Sequence, residues 1–269
     1  MEALLQVETW PASHAAVGVT GPDETIATVG PADHVFRWAS VTKPVTALAA
    51  LVAVEEGVID LDDPAGPPGS TVRHLLAHAS GLPMNAGLPI AEPGRRRIYS
   101  NPGFEVMAAK ISEEAEIPFA DYLAAAVLRP LALDAELFAS PAWGIRGSLI
   151  DLLRLARELL SPTVVAAETL SEATTVVFPG LVGILPGFGR MDPNDWGLGF
   201  ELRNGKHPHW TGTRNSPRTF GHFGASGTFL WVDPDARLAC ACLTDVEFGE
   251  WSKDAWPRLS DAVLAEATP

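Results

Sequence analysis

Residues 36–63, FRWASVTKPVTALAALVAVEEGVIDLDD, place a serine and a lysine at the start of an almost wholly apolar run. Because apolar residues occupy every side of this run, it predicts a buried central helix from about Ser40 to Glu56, ended by Gly57. Ser40 and Lys43 are three residues apart, so their side chains are neighbours on one face of that helix. Neither side chain adds to an apolar core, and the pair therefore indicates a function.

A serine at the start of a helix is well placed to attack a carbonyl group. Outward-pointing backbone N–H groups at that end favour the negative charge that develops on the carbonyl oxygen. The serine needs a base, and a neutral lysine can serve. Lysine becomes half neutral at pH 7 only if its pKa falls from about 10.4 to about 7, which burial can produce. By itself, however, S-x-x-K is a weak signal, and a capping serine followed by a solvated lysine is the simpler interpretation of it.

A second motif lies in GRRRIYSNPGF, residues 94–104. Tyr99 and Asn101 flank a serine in a turn that precedes a helix, so both side chains can face a cleft. A tyrosine oxygen can pass protons between a serine, a lysine and a leaving group, and an asparagine can hold the lysine and a substrate carbonyl. Alone, the turn would be interpreted as a helix cap with a packed tyrosine.

A third motif lies in TFGHFGASGTFLWV, residues 219–232. His222 and Gly224 fall on a strand expected at a sheet edge, where glycine permits close backbone approach. A substrate laid along this edge would meet backbone donors and acceptors, as in strand addition. The N–H of Ala225 would act as a second donor to a carbonyl oxygen, beside that of Ser40.

Strand patterns, among them WGLGFELR at residues 196–203, occupy both ends of the chain, and helical patterns occupy the middle. We therefore expect one domain over residues 1–269, with a sheet lobe of about 1–69 and 196–269. A helical lobe would cover about 70–195, with a cleft between the lobes. The stretch VVFPGLVGILPGFGRMDPND, residues 176–195, is irregular and is expected to border that cleft.

Taken together, the three motifs resemble those of the serine β-lactamase and penicillin-binding-protein superfamily, in its class C-like branch. Further blocks, VRHLLAHASGLP and WGLGFEL among them, extend the resemblance over nearly the whole chain. The resemblance implies an α/β (α+β) fold of the β-lactamase/transpeptidase type: an antiparallel sheet built from both chain ends and flanked by helices, plus a helical lobe. It also implies acyl transfer through a covalent serine ester.

By position, the resemblance assigns a role to each candidate residue. Ser40 would be the nucleophile, and Lys43 and Tyr99 the base and acid. Asn101 would position the lysine and the substrate, and the N–H groups of Ser40 and Ala225 would bind the oxyanion. Which of the lysine and the tyrosine is the resting base stays open, because both need a similar fall in pKa.

The departures from the family pattern concern the substrate. The third motif is His222-Phe223-Gly224, where related lactamases carry Lys-Thr-Gly. Phe223 cannot donate a hydrogen bond and a neutral histidine offers less charge than lysine, so a free carboxylate would be bound poorly. We therefore expect an esterase or a small amidase or peptidase, with weak β-lactamase activity. The alternatives are a penicillin-binding receptor acylated at Ser40 with little turnover, and a D,D-peptidase or D-aminopeptidase.

Charge and targeting signals narrow the partners. With 19 basic and 33 acidic residues, the chain would be repelled by nucleic acids and anionic membranes. We expect a small-molecule ester or amide substrate, no cofactor, and, with no secretory leader apparent, a cytoplasmic location. His74 and His78 have metal-ligand spacing, but no carboxylate follows them at the usual distance, so no metal is expected. Cys240 and Cys242 would share one face of a strand without bridging.

Overall fold

The computed structural model describes residues 1–267 and contains a six-stranded antiparallel sheet with the strand order β2-β1-β11-β10-β9-β8. The strands are β1 (Ala15–Thr20), β2 (Thr25–Val29), β3 (Phe36–Arg37), β4 (Glu136–Leu137), β5 (Ile145–Gly147), β6 (Gly183–Leu185), β7 (Gly189–Met191), β8 (Glu201–Leu202), β9 (Phe220–Gly224), β10 (Thr228–Asp233) and β11 (Leu238–Thr244). The helices are α1 (Thr42–Glu55), α2 (Val72–Leu76), α3 (Asn101–Ala115), α4 (Phe119–Leu123), α5 (Leu149–Leu160), α6 (Ala167–Ala173) and α7 (Glu250–Ala267). Strands β3, β5 and β4 form a small second sheet, and β6 pairs with β7.

The two ends of the chain meet in the centre of the large sheet. Strand β1 pairs with β11, where Val17 lies opposite Cys242. Alternation along β11 sends Cys240 and Cys242 to the same face, where both are buried as free thiols. The expectation of an antiparallel sheet built from both termini is confirmed.

Apolar residues cover both faces of the sheet. One face packs on α5 and, beyond it, on the core around α1, in which every residue from Thr42 to Ala53 is buried. The other face carries Trp231 and packs on α7, where Trp231 Nε1 donates to Ser260 Oγ at 3.0 Å. Helix α1 is therefore the central helix that its all-round apolar pattern predicts.

Two segments differ from the prediction in detail. The block WGLGFEL was expected to be a strand, but only Glu201–Leu202 pairs as β8. Gly199 turns there with a φ of +86°, and a Cβ on it would collide with Ala47. The stretch 176–195 was expected to be irregular, but it contains the β6–β7 hairpin, which a bridge between Arg97 and Gly183 ties to the second motif.

None of the helices within residues 1–267 combines the length and apolarity needed to cross a lipid bilayer.

Candidate active site

Ser40 lies in a short 3₁₀ helix, Ala39–Val41, immediately before α1. The preceding residue, Ala39, has a φ of +47°, a left-handed conformation that non-glycine residues adopt at a cost and that recurs at functional sites. Ser40 Oγ is half-buried and accepts a hydrogen bond from the Tyr99 hydroxyl at 2.8 Å. The strained turn therefore presents the serine to a residue 59 positions away in the chain.

Lys43 is fully buried, with its Nζ 3.5 Å from Ser40 Oγ. The same nitrogen donates to Asn101 Oδ1 at 2.7 Å and to the carbonyl oxygen of Ala142 at 2.9 Å. It also lies 4.6 Å from the centre of the Tyr99 ring. The first two motifs thus meet at the lysine, as their spacing and order predict.

The Tyr-Ser-Asn turn is fixed from two sides. Ser100 caps α3 by accepting the N–H of Gly103 at 3.1 Å, which places Asn101 in the first helical turn. His78 holds the turn from beneath: its Nδ1 accepts the Ser100 N–H at 3.1 Å and its carbonyl accepts the Ile98 N–H at 2.8 Å.

Burial moves the pKa values of the lysine and the tyrosine in opposite directions. Desolvation lowers the pKa of Lys43 well below its ordinary value, and the negative charge of Glu105 only partly opposes this. Desolvation raises the pKa of the Tyr99 hydroxyl, although its hydrogen bond to Ser40 opposes the rise. At neutral pH the tyrosine is therefore a phenol, and the lysine has a much larger neutral fraction than an exposed one.

The third motif reaches the same place along β9. His222 is buried, and its ring lies 5.8 Å from that of Tyr99. A Cβ on Gly224 would come within 2.6 Å of the carbonyl oxygen of Trp38, so only glycine lets the strand pass the serine turn this closely. Ala225 follows and is exposed, and together with Ala39 it lines an open crevice of about 360 Å³.

His222 is a neutral imidazole in this position. Burial, with the nearby positive charge of Lys43, lowers the pKa of His222 to about 3. Its Nδ1–H donates to the carbonyl oxygen of Phe223 at 2.7 Å, while Nε2 is buried without a hydrogen bond among the described residues. The ring packs on Trp196, which also packs on His78. His222 therefore offers no positive charge to a substrate.

Several residues that organise the site were not found from the sequence. His78 was weighed only as a metal ligand, yet it holds the Tyr-Ser-Asn turn. Arg97 is one of three consecutive arginines in the second motif and nothing in the sequence sets it apart, but it is buried and donates to four backbone carbonyls, those of Ala77, Val177, Phe178 and Asn194. Ala142 contributes a carbonyl oxygen, which no sequence pattern marks.

A buried cluster of charged side chains holds the segment that carries Trp196, whose ring packs on His222. Glu201 pairs with Lys206 and accepts hydrogen bonds from His209 Nε2 and Trp210 Nε1, both at 2.9 Å. Desolvation alone would raise the pKa of Glu201, but His209 and Lys206 outweigh it and lower that pKa to about 2. Lys206 also donates to the carbonyl of Asp195 at 2.6 Å, next to Trp196. The cluster thus fixes the segment from which that tryptophan projects.

In the part of the chain that the structure describes, no group of three or more His, Cys, Asp or Glu side chains is arranged to hold a metal ion.

The family follows from comparison with known proteins. Residues 12–265 match the family described as Beta-lactamase. The chain belongs to the β-lactamase family. This confirms both the resemblance and the fold expected from the sequence. The curated relatives include penicillin-binding protein 4* of Bacillus subtilis (strain 168), at 29% identity over 38% of this chain, and esterase EstB of Burkholderia gladioli, at 42% identity over 19%. The matched segments span only 30% and 16% of those relatives' own lengths.

Solved structures extend the likeness to the whole chain. A β-lactamase from Mycobacterium bovis superposes with a TM-score of 0.98 at 55% identity, covering 99% of this chain and 100% of that one. EstCE1, a hydrolase with promiscuous acyltransferase activity, superposes with a TM-score of 0.79 at 18% identity, covering 98% and 97%. The second likeness shows the fold alone.

Proposed function

We propose that the chain is a serine hydrolase that transfers the acyl group of a small neutral ester to Ser40 and then to water. The hydrogen-bond contacts of Lys43 Nζ are the main support for this proposal. Lys43 Nζ has three polar contacts: Asn101 Oδ1 at 2.7 Å, the Ala142 carbonyl oxygen at 2.9 Å and Ser40 Oγ at 3.5 Å. The first two atoms can only accept and would take the two N–H bonds of a neutral amine, whereas the Ser40 hydroxyl can accept or donate. A protonated lysine would donate to Ser40 Oγ; a neutral one, which the lowered pKa of Lys43 favours, turns its lone pair to that hydroxyl.

The opposite pKa changes favour one division of roles. Lys43, with its pKa lowered, is the base that receives the Ser40 proton, and Tyr99, with its pKa raised, is the acid. This choice goes beyond the sequence, which leaves the resting base open. Tyr99 already donates to Ser40 Oγ, so its hydroxyl stands beside the bond that is made and broken.

The acylation step then balances as follows. The oxygen of Ser40 bonds to the ester carbonyl carbon while its proton moves to the Lys43 amine. The bond to the leaving alcohol breaks, the alkoxide takes the Tyr99 proton, and the Lys43 ammonium returns a proton to the phenolate. Water repeats the sequence on the acyl-enzyme, releasing the acid and restoring Ser40.

Backbone donors would stabilise the oxyanion formed in both halves of the reaction. The N–H groups of Ser40 and Ala225 are the proposed pair, one from the start of the α1 region and one from the end of β9. The approach of β9 that Gly224 allows brings Ala225 to the serine turn.

The third motif supports a neutral substrate. A carboxylate bound at β9 would meet the uncharged ring of His222 and the side chain of Phe223, which has no donor. Such a carboxylate would lose its hydration without a charge-assisted partner. An ester without a free carboxylate avoids that loss, and the relationship to an esterase agrees with this choice.

A second candidate is β-lactam hydrolysis, favoured by the 55% identity to the β-lactamase from Mycobacterium bovis. The third candidate is a receptor that forms a stable acyl-enzyme with little turnover, and the relationship to a penicillin-binding protein supports it. D,D-peptidase and D-aminopeptidase activities would use the same serine. The cytoplasmic location and the absence of nucleic-acid or membrane partners stay predictions.

A substrate panel tests the proposal. The wild-type chain and Ser40→Ala are incubated with p-nitrophenyl acetate and butyrate, nitrocefin, and D-alanyl peptides, and each mixture is followed by product release and intact mass. We expect rapid ester turnover that Ser40→Ala abolishes. Nitrocefin turnover above ester turnover would assign the β-lactamase activity, and a long-lived β-lactam adduct without turnover would assign the receptor. Ester turnover that survives Ser40→Ala would remove this serine from the mechanism.

A further inference from the structure

The edge of β9 that passes Ser40 differs in its backbone chemistry from an edge that can pair with a peptide. Pairing by strand addition requires free carbonyl acceptors as well as free N–H donors. Phe223 lies one residue before the end of β9 and Ala225 is the first residue of the turn that follows, so both carbonyls lie at the end of the strand that passes the serine turn. These are the acceptors that a substrate beside the serine turn would meet.

Both acceptors already have intramolecular donors. His222 Nδ1–H donates to the carbonyl oxygen of Phe223 at 2.7 Å. The N–H of Phe248 donates to the carbonyl oxygen of Ala225 at 2.9 Å. Within residues 1–267, the Ala225 N–H is not engaged in any backbone hydrogen bond that we find, in keeping with a donor reserved for an oxyanion. At this edge the Ala225 N–H is therefore available to a substrate, whereas the carbonyl oxygens of Phe223 and Ala225 already accept hydrogen bonds from within the protein.

Aromatic rings make the same edge a poor place for an unpaired amide. Phe188, from the β6–β7 turn, has its ring centre 5.8 Å from that of Phe223 and 5.9 Å from that of Phe248. The Phe223 and Phe248 rings lie 5.1 Å apart. An N–H brought against these rings would lose water without gaining a protein acceptor.

We propose that this edge selects against acyl groups that carry an amide N–H, such as N-acylamino acids and peptides, and accepts plain acyl groups. The inference rests on the proposed function, because it names the substrate class of that same serine site. In place of a substrate paired along β9 through both donors and acceptors, the proposal has a substrate held at this edge through the Ala225 N–H. Each carbonyl oxygen has a second lone pair. The test must therefore distinguish a carbonyl that cannot accept a substrate N–H from one that accepts it in addition to its intramolecular donor.

Two esters differing at one atom test the selection. p-Nitrophenyl N-acetylglycinate and p-nitrophenyl 4-oxopentanoate differ only in an NH where the other has a CH₂. After division by each ester's hydroxide-catalysed rate, we expect kcat/KM to be at least about tenfold lower for the acetylglycinate, since an unpaired buried donor is costly. Equal or better use of the acetylglycinate would overturn the inference.

An N-methylated ester and two variants separate the causes. If the N–H is the unfavourable group, p-nitrophenyl N-acetylsarcosinate, which has a methyl in place of that hydrogen, is used at least as well as the acetylglycinate. If a shared carbonyl accepted the N–H, methylation would lower kcat/KM, and the inference would fail. Phe248→Pro removes the N–H that competes for the Ala225 carbonyl, so it should lower the ratio of kcat/KM for the 4-oxopentanoate to kcat/KM for the acetylglycinate. Phe248→Leu keeps that N–H and should leave the ratio unchanged. Should the proline variant fail to fold, the three-ester comparison on the wild-type chain still decides.

Failure of this inference is distinguishable from failure of the proposed function. If the 4-oxopentanoate is hydrolysed and Ser40→Ala abolishes its turnover, the serine mechanism stands whatever the preference between esters. If no ester is hydrolysed and no acyl group appears on Ser40, the proposed function itself is wrong.

Discussion

Replacing Asn101 with aspartate puts a carboxylate where an amide oxygen now lies 2.7 Å from Lys43 Nζ. The change keeps the size and shape of the side chain and adds one negative charge beside the proposed base. The new charge favours the ammonium form and so raises the pKa of Lys43, opposing the desolvation that lowers it.

Coulomb's law sets the size of the effect. At the 2.7 Å separation, the attraction is about 6 kcal/mol for an effective dielectric constant of about 20, and about 1.5 kcal/mol even for that of water. At about 1.4 kcal/mol per pH unit, the pKa of Lys43 rises by between about one and about four units. A base with a raised pKa is protonated over a wider pH range, so below the new pKa kcat/KM should fall by up to about tenfold for each unit of the rise. The loss should shrink as the pH rises.

The assay is the pH profile of kcat/KM for p-nitrophenyl butyrate, for the wild-type chain, Asn101→Asp and Asn101→Ala. Asn85→Asp adds the same charge on an exposed loop residue and should leave the acid limb in place. We expect the acid limb of Asn101→Asp to move up by at least about one pH unit, with no upward shift in Asn101→Ala. An unmoved limb with a uniform loss at every pH would show that Lys43 is not the titrating base.

Three other substitutions probe the tyrosine, the glycine and the turn. Tyr99→Phe removes the donor 2.8 Å from Ser40 Oγ and should lower kcat by about 10²–10⁴-fold, with thermal stability measured in parallel; a loss under threefold would refute its role as acid. Gly224→Ala places a Cβ 2.6 Å from the Trp38 carbonyl oxygen, so we expect a lower Tm and lost activity, and unchanged values of both would contradict the close approach of β9. His78→Phe keeps a ring but leaves the buried Ser100 N–H without an acceptor, so the free energy of unfolding in denaturant should fall by about 1–3 kcal/mol. An unchanged free energy of unfolding would show that the turn does not depend on His78.

The sequence predicts the parts of the site that depend on side-chain identity and local period. The three-residue spacing puts Lys43 beside Ser40, and the Y-x-N spacing around a capping serine turns Tyr99 and Asn101 toward them. Strand alternation and chain-end pairing follow equally from pattern, which is why β1 and β11 meet as expected.

The remaining features depend on contacts between distant segments. In the sequence Arg97 is one of three consecutive arginines with nothing to distinguish it from the other two. Only the fold shows that it is buried and donates to backbone carbonyls. The carbonyl of Ala142 and the N–H of Phe248 act through the backbone, which every residue has, so no residue type marks them. The intramolecular donors to the carbonyls of Phe223 and Ala225 could not be predicted for the same reason, because a sequence pattern shows a strand edge but not what already bonds to it.

Formation of an acyl-enzyme at Ser40 is the claim on which the other proposals depend, and rapid-quench mass spectrometry measures it most directly. The wild-type chain is mixed with p-nitrophenyl butyrate, quenched in acid within the first turnovers, digested and mapped. We expect one butyryl group on the peptide containing Ser40, which disappears as substrate is exhausted and is absent in Ser40→Ala. Hydrolysis that proceeds with no butyryl group on this peptide, or with the group on another residue, would contradict it.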